Sequence, residues 1–168
     1  REQKLEELLG ELDKHRSPLA TNTTHPLYRS QAERWLQSLV AAEPSRVDAR
    51  LDPRFLYPQV PASAAGDRGV LDLLGVTRGG RLAVLELKAS EDPQLVLQGV
   101  DYWLRVRWHQ LREDFQRYGY FPGVSLDPRP PLLFLVAPSL RFHPATDILL
   151  QFLTKEIECT RVGVSESW

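Results

Sequence analysis

Apolar side chains recur at helical spacing at Leu5, Leu8, Leu9 and Leu12, which predicts a helix over residues 2–15. Ser17-Pro18 ends it, and the polar run from Thr21 to Thr24 predicts a loop. A second stripe, Ala32, Trp35, Leu36, Leu39 and Val40, predicts a helix from Pro26 to about Ala42, closed by Pro44. The period then changes. Phe55 to Val60 predicts a strand, followed by a loop rich in Gly, Ala, Ser and Pro. Val70 to Val76 and Leu82 to Leu87 are apolar on both faces, as strands at the centre of a covered sheet are. After Pro93 the helical period returns. Leu95, Val96, Val100, Trp103, Leu104, Trp108 and Leu111 predict the packing face of a long helix reaching Tyr118. Pro130-Pro131 precede a buried strand, Leu132 to Ala137; a short helix over Asp147 to Leu153 and a last strand from Glu156 to Val164 follow. This order predicts an α/β fold with a mixed central sheet flanked by helices. Residues 1–25 divide off as an N-terminal helix and linker, and residues 26–168 as the main domain.

Three charges break the pattern. Alternation along the strand 82–88 puts Leu82, Val84, Glu86 and Lys88 on one face, and Asp72 interrupts the neighbouring apolar strand. Ionised groups are costly in such places unless something compensates them. The turn decides whether they meet. A two-residue turn at Gly79-Gly80 would pair Arg78 with Arg81 and send the two acids to opposite faces. A three-residue loop, Arg78-Gly79-Gly80, would pair Thr77 with Arg81 and set Asp72 opposite Glu86, with Gly80 in the left-handed position of a G1 bulge. The three-residue loop is expected, because only that parity gives both acids a shared partner. Two neighbouring carboxylates repel, and a divalent cation resolves the repulsion. Asp72, Glu86 and a main-chain carbonyl such as that of Leu87 would form a partial oxygen shell of the kind magnesium prefers. Lys88 would then orient a water or stabilise charge building on a phosphate.

Composition narrows the picture. The chain has 168 residues, enough for one domain with a sizeable core. Its formal net charge of −1 argues against a surface coated in basic residues, without excluding a local basic groove. A single cysteine, Cys159, leaves neither an intramolecular disulfide nor a thiolate cluster for zinc. No apolar run approaches a membrane span, and the first residues do not look like a secretory signal, so a cytoplasmic location is expected. Lysine is scarce, at positions 4, 14, 88 and 155 only, which makes Lys88 at the end of an apolar strand conspicuous.

Gly69-Val70-Leu71-Asp72 followed by Glu86-Leu87-Lys88 resembles the GxxD…ExK signature of the PD-(D/E)XK nuclease superfamily. Gln98-Gly99-Val100-Asp101-Tyr102 matches the QxxxY motif of a subset that includes recombination exonucleases and prokaryotic mismatch-directed endonucleases. Gln98 and Tyr102 lie one helical turn apart and can face one site together. The superfamily often places a Glu on the helix before the sheet, and Glu33 can reach inward from that helix. The proline of the family name is absent before Asp72. The resemblance implies a restriction-endonuclease-like αβββαβ core. It also implies catalytic Asp72, Glu86 and Lys88 with Gln98, Tyr102 and Glu33 in support, and Mg2+ or Mn2+ as cofactor. The implied activity is metal-dependent hydrolysis of nucleic acid, DNA ahead of RNA. The alternative is a nucleic-acid-binding or scaffold domain on the same fold that has lost turnover. Oligomeric state is left open, with a homodimer among the options.

Plainer roles are expected elsewhere. Asp67 reads as a turn residue, and His15, His25, His109 and His143 lack metal-ligand spacing. Trp35, Trp103 and Trp108 read as core, and Arg105, Arg107, Arg112 and Arg117 as a solvated face.

Overall fold

The computed structural model describes residues 2–15, 22, 25–29, 32–61 and 70–165; at residues 2, 28–29, 59–61 and 70–72 only the backbone is described. Helices α1 (Glu2–His15), α2 (Pro26–Arg29) and α3 (Ala32–Ala42) lead through a short 3-10 turn, Pro44–Arg46, into strand β1 (Leu51–Pro61). Strands β2 (Val70–Thr77) and β3 (Leu82–Leu87) follow, then α4 (Leu95–Leu111), α5 (Asp114–Arg117), β4 (Leu132–Pro138), α6 (Ala145–Leu150) and β5 (Cys159–Val164). The five strands form one sheet in the order β1-β2-β3-β4-β5. The pairs β1/β2 and β2/β3 are antiparallel, and β3/β4 and β4/β5 are parallel. The predicted α/β architecture with a mixed, helix-flanked sheet is therefore formed.

The apolar double-faced strands lie where their composition places them. All six residues of β3 are buried, and so are Leu132 to Ala137 of β4. One face of the sheet, with Leu74, Val76, Leu82, Val84, Leu133 and Leu135, packs against Leu95, Val96, Trp103 and Val106 of α4. The other face, with Leu73, Ala83, Leu85, Leu87, Phe134 and Val136, packs against Leu36 and Val40 of α3. Parallel strands need a long crossover, and α4 supplies it between β3 and β4. The edge strand β1 carries Pro53, Pro58 and Pro61, which such a position tolerates because its outer hydrogen bonds are unused.

Several boundaries differ from the sequence reading, among them the short helix expected over Asp147 to Leu153, which spans Ala145–Leu150. The first strand begins at Leu51, ahead of Phe55, with an irregularity between Leu51 and Leu56 that admits Pro53. The last strand starts at Cys159 rather than Glu156. The single helix expected over residues 26–42 is described as α2 and α3, with residues 30–31 outside the described set. The helix expected to reach Tyr118 stops at Leu111, because Glu113 takes a left-handed φ of 57°. The reason is local. Asp114 is buried and receives a hydrogen bond from His109 Nδ1 at 2.8 Å, with Arg112 and Arg117 at 3.4 and 3.5 Å.

The inward face of α4 is also rotated from the expected one. Gly99 and Val106 lie inside, whereas Leu104, Trp108 and Leu111 are exposed together with Leu97. Trp103 is core and donates Nε1–H to the Pro131 carbonyl at 2.7 Å, while Trp108 is a surface residue under the guanidinium of Arg112. No described helix is long and apolar enough to cross a membrane.

Candidate functional site

The turn between β2 and β3 sets the geometry. Thr77 N–H donates to the Arg81 carbonyl at 2.8 Å, and Gly80 N–H donates to the Thr77 carbonyl at 2.9 Å. Gly80 has a φ of +85°. This is the three-residue loop with a left-handed glycine, and Thr77 and Arg81 close it. The ladder then runs Val76 with Leu82, Gly75 with Ala83, Leu74 with Val84 and Leu73 with Leu85. The observed ladder ends there, one residue short of Asp72 on β2 and of Glu86 on β3. Asp72 is described here by its backbone position in β2.

Glu86 is 2% exposed, a carboxylate inside an otherwise apolar strand. Its parity is that of Val84, so it belongs to the α4 side of the sheet. The helix comes unusually close there. A Cβ built on Gly99 would lie 2.7 Å from Leu135 Cδ2 and 3.6 Å from Glu86 Cβ. Glycine at 99 thus lets the α4 backbone settle onto the sheet beside Glu86. The neighbouring Gln98 has its Oε1 buried and without a hydrogen-bond partner among the described residues. Tyr102 packs one turn further on at the margin of the same core. The Leu87 side chain points into the opposite core, so only its main chain is available to the site.

Lys88 lies just past β3. Its N–H donates to the Val136 carbonyl at 3.0 Å, extending the parallel ladder by one step. Its ammonium sits 3.7 Å from Glu33 Oε1 on α3 and 3.7 Å from Asp92 Oδ2. Glu33 therefore does reach the end of the sheet from the preceding helix. The structure brings Lys88 and Glu33 together at the carboxyl end of β3, and it brings the QxxxY helix over Glu86. Asp92 is an addition that the sequence reading passed over. The signal was present: an Asp side chain in a turn often accepts the N–H two residues on, as Asp92 does from Gln94 ahead of α4.

The remaining titratable groups do other work. Burial pushes the Cys159 thiol up to about 12, so it stays protonated and unreactive at neutral pH. Arg105 pairs with Asp101 along α4, and Arg107 donates to Gln110 and to the Pro128 carbonyl. Arg81 fastens the start of β3 to two other segments, through the Pro130 carbonyl at 2.8 Å and Glu158 at 2.6 Å. Asp67 lies outside the described residues. Among the described residues no three His, Cys, Asp or Glu side chains gather as a metal site, the Asp72 side chain not being one of them.

No protein-family model matches the chain, and no curated protein matches it in sequence. Among solved structures it is similar to a repair endonuclease from Pyrococcus abyssi. That match has 20% identity over 80% of this chain and 47% of that one, with a TM-score of 0.49. It is also similar to EndoMS in a complex with dsDNA, at 21% identity, 79% and 44% coverage and a TM-score of 0.45. EndoMS in its apo form gives 23% identity, 79% and 46% coverage and a TM-score of 0.39. The chain spans less than half the length of each of these proteins.

Proposed function

We propose that this domain is a metal-dependent nuclease that hydrolyses phosphodiester bonds in nucleic acid, with DNA ahead of RNA as substrate. The observation that carries the reading is the β2–β3 register. The Thr77–Arg81 closing pair has the parity that would set Asp72 opposite Glu86, which supports the reading; a two-residue turn would send them to opposite faces.

The residues present suit a hard divalent cation. Asp72, Glu86 and the Leu87 carbonyl all offer oxygen, and Glu86 is a carboxylate held at 2% exposure. Bound there, Mg2+ or Mn2+ would polarise a phosphoryl oxygen and ease deprotonation of a water. The chain's own groups do the rest. Lys88 neutralises charge developing on the phosphate, and Glu33 reaches it from α3. Gln98 offers a buried amide oxygen to orient a water or ligand, and Tyr102 backs it one turn along α4. The motif resemblance to the QxxxY subset supports DNA as the first substrate to try.

A non-catalytic domain is the second reading. It is favoured by the ammonium of Lys88 lying between two carboxylates, as it would in a structural ion cluster. The deciding experiment offers single- and double-stranded DNA and RNA to wild type and Asp72→Ala, with Mn2+, with Mg2+ and with chelator. The proposal expects cleavage of at least one substrate that needs both metal and Asp72. Cleavage that persists in Asp72→Ala, or none on any substrate, rejects it.

A further inference from the structure

We infer that Asp92 is a positioning residue for Lys88, holding its ammonium at the end of β3 while anchoring the start of α4. The inference rests on the nuclease reading for its purpose, but its geometry stands apart from that reading. The two carboxylate oxygens of Asp92 face different ways. Oδ1 accepts the Gln94 N–H at 2.8 Å, and the Asp92 carbonyl accepts the Leu95 N–H at 3.3 Å, which together form the turn that opens α4. Oδ2 faces Lys88 Nζ at 3.7 Å.

The turn makes Asp92 a rigid partner. A lysine side chain has four rotatable bonds, and fixing it costs conformational entropy that a mobile partner cannot offset. Glu33, the other carboxylate at 3.7 Å, is a longer side chain and 55% exposed. Asp92 is shorter, 29% exposed, and already fixed through its other oxygen. Neither contact at 3.7 Å is a hydrogen bond. Toward Glu33 and Asp92 the ammonium is held by charge at a distance that does not consume its N–H groups. Asp92 also joins two parts of the site: Lys88 just past β3 and the helix carrying Gln98 and Tyr102 share one anchor.

The test separates the charge of Asp92 from its role in the turn. Asp92→Asn keeps an acceptor oxygen for Gln94 N–H and removes the charge, and Asp92→Ser does the same through a hydroxyl. Asp92→Glu keeps the charge. With four lysines in the chain, the Lys88 side-chain NMR signal can be assigned by comparison with Lys88→Arg. Expected are near wild-type melting for Asn and Ser and a more mobile Lys88 ammonium in both. Cleavage should lose about ten- to a hundredfold in kcat with little change in KM, the scale of a misplaced catalytic group. Partial recovery is expected in Asp92→Glu. An unchanged Lys88 ammonium in either folded variant overturns the inference, and so does a mobile one with unchanged kcat. If wild type cleaves nothing, the nuclease reading fails, and the ammonium signal alone decides whether Asp92 holds Lys88.

Discussion

Gly80 is the residue on which the site's parity turns. Its φ of +85° lies in the left-handed region, and a Cβ there would stand 2.1 Å from the Ser125 carbonyl oxygen. Gly80 also accepts the Asp127 N–H at 2.8 Å, so the turn is clamped to the loop ahead of β4. A left-handed non-glycine residue costs about 1–2 kcal/mol, and overpacking about 1–3 kcal/mol more. Gly80→Ala should therefore lose roughly 3 kcal/mol, measured by urea unfolding. A loss under about 1 kcal/mol would mean that the turn can re-form with another geometry, which would also loosen the register argument. The charged residues allow a sharper division. Asp72→Asn and Glu86→Gln should abolish metal-dependent cleavage and weaken Mn2+ binding in calorimetry. Lys88→Ala should abolish cleavage and leave Mn2+ binding largely intact, because a protonated lysine cannot be a ligand. Gln98→Ala and Tyr102→Phe should reduce cleavage only in part. Equal loss of Mn2+ affinity in Lys88→Ala and Asp72→Asn would contradict these roles.

Among the elements, α4 joins the site to the core, and it does so at Gly99. An alanine there gains about 1 kcal/mol in helix propensity. It also forces its methyl against Leu135 and Leu133, both fully buried, at a cost of about 1–3 kcal/mol. Gly99→Ala should be destabilised by about 1 kcal/mol net and should lose activity beyond that, since α4 moves away from Glu86. A variant as stable and as active as wild type would show that the close approach has no consequence. The far end of α4 carries a pH-dependent lock. The hydrogen bond from His109 holds the Asp114 carboxyl below its ordinary value of 3.8, against opposing burial, with Arg112 and Arg117 adding to it. A carboxyl with a lowered folded-state pKa contributes its full stabilisation above the ordinary value and loses it as pH falls through the folded value. Asp114→Asn should melt below wild type at neutral pH, and the gap should close as the pH drops below 3.8. The same lock explains where sequence reading failed. Apolar periodicity continues to Leu111 and beyond, so the helix looked longer, and Leu104 and Trp108 looked internal. The end of α4 is set by a local polar cluster, His109 and Arg112 with Asp114 and Arg117, which apolar periodicity does not register. Likewise the inward face is set by Gly99, a residue that carries no hydrophobic signal. The strands were legible because β3 and the first six residues of β4 are buried on both faces, a condition that apolar runs report directly.

At the scale of the whole molecule, the candidate site lies where three independent pieces of the chain come together. The β2–β3 hairpin carries Asp72 and Glu86 on neighbouring strands, α3 brings Glu33 to Lys88, and α4 lays Gln98 over the sheet. The hairpin was readable from local turn chemistry. The reach of Glu33 could only be guessed, since many helical acids face solvent. Asp92 was missed because it stands four residues after Lys88 in a turn rather than in a helix, where that spacing alone predicts no contact. A site assembled in this way exists only in the folded state, so a metal bound there must stabilise the fold by mass action. At a metal concentration one hundred times the dissociation constant the gain is about 2.7 kcal/mol. For a domain of this size that raises the melting temperature by roughly 5–10 °C. Millimolar Mg2+ or Mn2+ should produce such a shift in wild type and little in Asp72→Asn, with both compared against chelator. The metal-free comparison carries separate information. Asp72→Asn removes one of two facing acids at nearly constant shape, so without metal it should melt as high as wild type or slightly higher. If it instead melts several degrees lower in chelator and wild type ignores the metal, Asp72 belongs to a favourable ion cluster. The domain is then a scaffold rather than a nuclease.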